Sequence, residues 1–319
     1  LFPDQPSDAP LILEIGFGYG HFLKHLSETR PEARIVGVEI ANECLERVEY
    51  MRDRGRLPNV RVLFSRAESA LHHLFEPASL DEIHVNFPDP WFKARHEQRR
   101  LLQRSNIDLF ANRLKPGGKF FLATDIREYA EMSAEALAET STLDNLLPAP
   151  WAGEMAGRVV TKYERKAHEE GRPSHFFAYK RNTTPALPIP VMKELEMPHI
   201  VIHLPLTPDE IVARFAPMEA DNEKPEIHVA LLHAYCNPRA TLIEAHVVDT
   251  TIQQHIGLSI AQSGGDPHQV TVMLSPIGIP RPSDGAHFAV RTLANWLLTL
   301  HPDARILGDK TRDHLREQV

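Results

Sequence analysis

A short apolar run that opens directly into alternate glycines constrains this 319-residue chain more than any other feature. The stretch is Leu11-Ile-Leu-Glu-Ile-Gly-Phe-Gly-Tyr-Gly20, and the residues after it, His21 to Arg30, have helical spacing. An apolar run of this length reads as a buried strand. Gly16, Gly18 and Gly20 let the backbone turn sharply and let a ligand approach the peptide groups closely. Strand, glycine turn and helix together form the front of a nucleotide-binding α/β unit.

The glycine spacing is G-x-G-x-G, whereas a pyrophosphate at a helix N-terminus calls for G-x-G-x-x-G. Glu14 stands just before the first glycine, where its charge would repel a pyrophosphate. A carboxylate there suits a ligand with a cationic end, such as the amino group and sulfonium of S-adenosylmethionine. Glu39 closes a second apolar run, Ile35-Val-Gly-Val-Glu-Ile40, and is placed to accept bonds from ribose hydroxyls. The glycines with both acids read as a methyl-donor site. The plainer reading is a tight turn in an ordinary α/β protein.

The length leaves room for two domains and ample core. Hydrophobic residues at 42% and charged residues at 24% are ordinary for a globular protein. No apolar run approaches the roughly 20 residues of a membrane helix, and no signal peptide is visible, so no membrane partner is expected. Cys44 and Cys236 lie far apart and outside any motif, which fits reduced thiols in a cytoplasm. The 18 histidines form no metal-ligand spacing, and no metal is expected. The net charge of −8 argues against generic nucleic-acid binding, but it is uneven. Residues 1–182 carry 25 Lys/Arg against 27 Asp/Glu, and residues 183–319 carry 10 against 16. Phosphate contacts would therefore need a local patch.

Helices are expected at 41–56, 66–75, 107–114 and 128–139, and strands at 60–65, 81–87, 119–124 and 175–180. Lys115-Pro-Gly-Gly118 reads as a helix stop. Strand–helix alternation at this pitch implies a doubly wound, mostly parallel sheet. Ligands of such sheets bind beyond the carboxyl ends of the strands, where Glu14, Glu39, Asp89 and Asp125 all fall. The prolines of Thr183-Thr-Pro-Ala-Leu-Pro-Ile-Pro190 mark a stiff linker over 183–198. Beyond it, strands at 199–204, 227–234, 240–248 and 270–274, with helices at 208–215 and 286–300, suggest a small α+β domain over 199–319 with an antiparallel sheet. Ser263-Gly-Gly-Asp-Pro267 reads as a turn.

After the fourth strand, Asn86-Phe-Pro-Asp-Pro-Trp91 carries Asp89 on a turn stiffened by two prolines. Trp91 and Phe92 offer flat apolar surface there. Lys93, Arg95, Arg99, Arg100 and Arg104 form the basic patch that the average charge hides. Basic residues beside aromatics suit phosphates and a stacked base, although a solvated basic helix accounts for them equally. Thr161, Lys162, Tyr163 and Glu164 could hold a guanine, or simply form a loop of mixed polar residues.

Glu14-Ile-Gly-Phe-Gly18, Gly37-Val-Glu39, Phe87-Pro-Asp-Pro-Trp91 with Lys93-Ala-Arg-His96, Ala123-Thr-Asp125 and Thr161-Lys-Tyr-Glu164 follow one another in this order. Together they resemble the bacterial tRNA (guanine-N7)-methyltransferase family over about residues 10–182. The resemblance implies a class I S-adenosylmethionine-dependent methyltransferase domain, with a Rossmann-like seven-stranded sheet, over residues 1–182. It implies N7-methylation of a variable-loop guanosine, with S-adenosylmethionine as cofactor and tRNA, not DNA, as partner. By resemblance Glu14, Gly16, Gly18, Glu39 and Ala67 hold the donor, and Asp89 is the catalytic acid and also lies near the donor. Lys93, Asp125, Thr161, Lys162, Tyr163 and Glu164 contact the substrate.

Arg66 departs from the family, which places an Asp or Asn there against the adenine amino group; a guanidinium has no acceptor to offer. The backbone of Ala67, or Glu68, would then face adenine. The chain also has fewer residues before its first strand than the family does, so a longer native N-terminus is expected. Two other functions compete. One is methyl transfer to another RNA site or a small molecule, which leaves the basic run after Trp91 unexplained. The other, motivated by Arg66, is tRNA binding without catalysis.

Overall fold

A computed structural model describes the chain apart from residues 1, 4, 91–99, 156, 158, 161–163, 166–168, 190, 192–195 and 316–319. The chain divides into two compact units, Leu1–Met192 and Lys193–Val319.

In the first unit the strands are β1 (Leu11–Ile15), β2 (Arg34–Glu39), β3 (Val60–Phe64), β4 (Leu80–Asn86), β5 (Leu114–Thr124), β6 (Leu143–Asn145) and β7 (His175–Arg181). The helices between them are α1 (His21–Thr29), α2 (Asn42–Asp53), α3 (Ala67–His73), α4 (Arg104–Arg113) and α5 (Arg127–Ala138). The sheet order is β3-β2-β1-β4-β5-β7-β6. β3 through β5 pair in parallel, and β7 runs antiparallel to both β5 and β6. This is the class I methyltransferase architecture that the resemblance implies. Successive strand residues face opposite sides. Ile12, Ile35 and Val60 therefore pack with Phe22 and Leu23 of α1 and Val48 of α2. Leu13, Val36, Ile83 and Phe120 meet Leu71, Phe110 and Tyr129 of α3, α4 and α5 on the other side.

Lys115-Pro-Gly-Gly118 behaves differently from the expected stop. It lies within the bounds of β5, and the ladder to β4 shifts register between Leu80↔Leu114 and Glu82↔Lys119. A Cβ on Gly118 would come within 2.9 Å of Lys115 O and 3.1 Å of Asp81 O. The bulge therefore depends on close backbone approach.

Two buried arginines tie the proline-rich segment to the first unit. Arg113, fully buried at the end of α4, donates from Nε to Leu71 O (2.7 Å) and from Nη1 to Ile189 O (2.7 Å). Asn112 Nδ2 donates to Leu187 O (2.6 Å). Arg181 at the end of β7 donates from Nε to Ala111 O (3.0 Å) and from Nη2 to Thr184 O (2.5 Å). Ile189 packs against the core.

The second unit is a seven-stranded sheet in the order β14-β8-β13-β12-β11-β10-β9, with every neighbouring pair antiparallel. Its strands are β8 (His199–His203), β9 (Met218–Glu223), β10 (Glu226–Asn237), β11 (Ala240–Asp249), β12 (Gln253–Gln262), β13 (Gln269–Leu274) and β14 (Arg305–Asp309). Helices α6 (Pro208–Arg214) and α7 (Asp284–Leu298) complete it. Ile200, Val229, Ile243, Ile256 and Val272 pack with Ile211 of α6 and Leu293 of α7. The other face carries His199, His203, His228, His233, His246 and His255 at the alternate positions. His228 Nδ1 lies 2.8 Å from Asp221 Oδ1, and His255 Nε2 lies 2.6 Å from Glu244 Oε1. β9, β12 and β14 extend the sequence expectation. β12 hid because inward-facing Gln254 breaks its apolar alternation; its amide is satisfied by Arg281, Nε2 to O at 2.9 Å and Oε1 from N at 2.6 Å. β9 is an edge strand with a largely polar sequence, and the edge strand β14 has Ile306 and Leu307 side by side, which shows no alternation.

His287 of α7 is buried, with Nε2 3.0 Å from Glu196 O and Nδ1 accepting from Arg312 N–H (3.2 Å). Burial, helped by the Arg312 charge, pulls its pKa from 6.5 down to about 4. In the first unit, burial pushes Glu82 up. Bonds and charge from His84 and Arg30 outweigh it and hold the carboxyl at about 2.

Two predictions follow from these burials. Arg113→Ala leaves the carbonyls of Leu71 and Ile189 without their donor and should lower the stability of the first unit by about 3 kcal/mol in denaturant melts. Acid should weaken the two units in order. The unfolded chain protonates His287 before the folded chain does, so the second unit loses up to about 3 kcal/mol as pH falls from 6.5 toward 4. The Glu82 contribution is complete above 4.5 and is lost only as pH falls toward 2. Calorimetry across this range should show the second unit melting earlier first, and His287→Gln, which can donate but does not titrate, should flatten that slope.

Candidate nucleotide and base site at the carboxyl rim

Parallel pairing sends the carboxyl ends of β2, β1, β4 and β5, which are neighbours in that order, to one rim. Glu14 lies in β1 level with Gly37 of β2 and His84 of β4, only 1% exposed. Asn86 at the end of β4 donates from Nδ2 to Glu14 Oε1 (3.1 Å). Glu39 ends β2, Asp89 follows β4, and Asp125 follows β5 directly. Four acids from four adjacent strands thus gather at one edge.

The glycine loop is shaped by packing from below. Phe17 is buried across β2, and a Cβ on Gly37 would come within 2.7 Å of its ring and 2.9 Å of Leu23. Gly20 caps α1 in the left-handed region (φ 76°), where a Cβ would come within 2.5 Å of Val48. Gly16 differs: a Cβ there would meet nothing within 4 Å, so the loop leaves open space beside the end of β1. Glu39 closes the loop from the side. Its Oε2 accepts from Gly18 N–H (2.9 Å), and its Oε1 accepts from Ile40 N–H (2.7 Å) and Ala41 N–H (3.1 Å). Three of its roughly four acceptor directions are therefore taken, leaving room for one hydroxyl. Beside it, Ser65 N–H donates to Glu39 O (3.0 Å), and Ala67 opens α3 in a buried position. Arg66 precedes it, exposed and extended. Asn106 Nδ2 donates to Glu68 Oε1 (3.4 Å), which keeps an acceptor near the start of α3.

Asp89 is exposed on the turn after β4. The turn begins at Phe87, a non-glycine residue at φ 52° whose N–H donates to Ala123 O (2.7 Å). Such a conformation is costly and persists where neighbours impose it. Here the bond to β5 holds it, against the preference for extended backbone that the following Pro88 sets. Burial raises the pKa of Tyr129 on α5; the charge of Arg100 opposes the rise and that of Asp89 adds to it, so both charges lie within electrostatic reach of the phenol. Asp125 forms an ion pair with Arg172 of the segment leading into β7.

Lys93, Thr161, Lys162 and Tyr163 lie outside the described residues. Glu164 is buried, and Gly157 and Val159 upstream of it meet α1 and the core beneath the glycine loop. There His25 Nε2 lies 3.1 Å from Gly157 O, and Val159 packs on the cluster under the glycine loop. Sequence reasoning did not assign a role to Asn86 or Arg172. Asn86 is the last residue of β4, a strand of mixed polarity, so nothing in its sequence marks the amide as the partner of Glu14. Arg172 sits in a Gly-Arg-Pro turn directly before β7, opposite the end of β5.

Chemically, the rim offers a buried carboxylate for a cation, one acceptor direction on Glu39 for a hydroxyl, open space over Gly16, and two further acids, Asp89 exposed and Asp125 half-buried. Residues 8–177 match the sequence pattern of a family described as "Putative methyltransferase". The chain is 43% identical over 174 residues to the tRNA (guanine-N(7)-)-methyltransferase of Rhodococcus jostii, covering 53% of this chain and 66% of that one. The Syntrophotalea carbinolica protein of the same name is 35% identical over 173 residues, covering 54% and 75%. That of Burkholderia cenocepacia is 41% identical over 158 residues, covering 50% and 62%. The chain thus spans about two thirds of the length of these relatives, and its second unit lies beyond the residues 8–177 that match the family pattern. The rim acids, the glycine loop and the Phe-Pro-Asp-Pro-Trp turn all fall inside that region, and the chain belongs to the tRNA (guanine-N(7)-)-methyltransferase family.

Proposed function

We propose that residues 1–182 methylate N7 of a guanosine in the variable loop of tRNA, with S-adenosylmethionine as donor. Residues 183–198 would connect this domain to an α+β accessory domain at 199–319. The observation that carries the reading is the convergence of Glu14, Glu39, Asp89 and Asp125 on one rim of a parallel sheet. The donor set fits S-adenosylmethionine. Glu14 offers a carboxylate to its cationic amino-acid end, Glu39 keeps one acceptor direction for a ribose hydroxyl, and Gly16 leaves space between them. The backbone at Ala67 and the Glu68 carboxylate face the adenine. When bound, the donor supplies an electrophilic methyl group.

Guanine N7 carries a lone pair and no proton, so the protein needs no general base to make it a nucleophile. Its task is to orient the base for in-line attack, which is worth up to roughly 7–11 kcal/mol in ideal cases. Methylation leaves positive charge on the purine. Asp89, fixed on its strained turn, stabilises that charge as it develops. Asp125 and Glu164 accept from the N1–H and N2–H edge, while Lys93, Thr161, Lys162 and Tyr163 contact tRNA.

The test is transfer of labelled methyl to an unmodified tRNA transcript and to a twin whose variable-loop guanosine is replaced by adenosine. Label on the first alone is expected; label on both would redirect the activity to another RNA site, and label on neither would overturn the reading. Asp89→Asn should lower turnover at saturating tRNA by about 100-fold, in the range seen when one transition-state electrostatic contact is removed. Unchanged turnover would remove Asp89 from the mechanism. Glu39→Ala deprives Gly18 N–H and a ribose hydroxyl of their acceptor and should weaken donor binding by about tenfold or more in calorimetric titration.

A further inference from the structure

We infer that Arg172 is a positioning residue that sets how Asp125 reads the guanine, an inference that rests on the function proposed above. β7 pairs antiparallel with β5 so that His175 is level with Thr124, and Asp125 is the next residue beyond that pair. The lead-in to β7 therefore lies over the tip of β5. Gly171 at φ 70° turns the chain there and Pro173 fixes its exit, so Arg172 reaches back to Asp125. Its Nη1 pairs with Asp125 Oδ2, and its Nη2 lies 2.5 Å from Glu170 Oε2. Behind it, Trp151 packs edge-on against His175, with ring centroids 5.5 Å apart.

Arg172 is 37% exposed and Asp125 is 14% exposed. With its guanidinium more than a third exposed, the pair is screened by water on that side and adds little to stability, so its main consequence is orientation. A lone carboxylate at a strand tip rotates about its side-chain bonds. Held through Oδ2 by a guanidinium that Glu170 braces from the other side, it is fixed. Among the described residues Oδ1 has no partner, so the fixed carboxylate presents one oxygen outward from the rim. Guanine offers N1–H and the 2-amino group on the edge away from N7, and these are the donors such an oxygen takes. A base gripped by that edge has N7 directed the opposite way. Arg172 also offsets part of the Asp125 charge, so the carboxylate acts as a directional acceptor.

The experiment compares wild type, R172A and R172K on tRNA carrying guanosine or inosine at the target position; inosine keeps N7 and N1–H but lacks the 2-amino group. Wild type should favour guanosine in kcat/KM by about tenfold or more, as expected when a polar acceptor loses its donor. D125N should abolish that preference and serves as the reference. R172A should shrink it to within about threefold, mainly through KM, with donor affinity unchanged. R172K keeps the charge but not the planar fork and should fall between. An R172A protein that keeps the wild-type preference overturns the inference. So does one that loses activity equally on both substrates together with donor binding, since that reports only structural damage. A wild type that transfers no methyl to tRNA sinks the function reading and the inference with it, whereas an active wild type with an unaltered R172A sinks the inference alone.

Discussion

The bond from Asn86 to Glu14 joins the fold of the first unit to its chemistry. A carboxylate that is 1% exposed costs a great deal to bury unless polar groups surround it. β1 can carry such a group near its end because β4, its parallel neighbour, ends in an amide two residues beyond the level of Glu14, within reach of the carboxylate. The pairing that puts Glu14 beside Asn86 also puts Glu39, Asp89 and Asp125 on the same edge, since parallel strands all finish on one side. The glycines then become geometric necessities. Phe17 must cross Gly37, and α1 must start against Val48, for the loop to clear the buried acid.

Polar groups tie the periphery of each unit together in a similar way. In the first, Arg113 and Arg181 use several backbone carbonyls each, some of them in the proline-rich segment, so that a stretch with few donors of its own is still bonded. In the second, α7 begins where Asp249 Oδ2 accepts from Gly285 N–H (3.0 Å), and His287 one turn on holds the carbonyl of Glu196 and the N–H of Arg312. The sheet of that unit buries one face and leaves six histidines on the other, several against acids. Among the described residues no His, Cys, Asp or Glu group is arranged to hold a metal ion.

Much of the first unit was legible because a parallel sheet demands continuous apolar strands and long crossovers, and both leave clear marks. Leu11–Ile15 and its glycines could be read directly, as could Ile35 to Glu39. β6 was not, since three residues carry no period. Lys115-Pro-Gly-Gly118 was read as a stop because its composition says turn; the bulge it forms in β5 depends on the register against Leu80 and Glu82, which composition does not encode. In the second unit β12 escaped because Gln254 faces inward, and an inward amide is tolerated only where Arg281 satisfies it.

The sequence by itself determined the class of the first unit, the acids at the strand ends and the family, because strand periodicity, glycine spacing and the Phe-Pro-Asp-Pro-Trp turn are local along the chain. Only the tertiary structure decided that Asn86 serves Glu14, that Glu39 spends most of its acceptors on backbone N–H groups, and that Arg172 reaches Asp125. The Asn86–Glu14, Gly18–Glu39 and Arg172–Asp125 contacts join residues 72, 21 and 47 positions apart. They exist because strand order and register bring separate chain ends to one rim, and no pattern within a single segment carries that information.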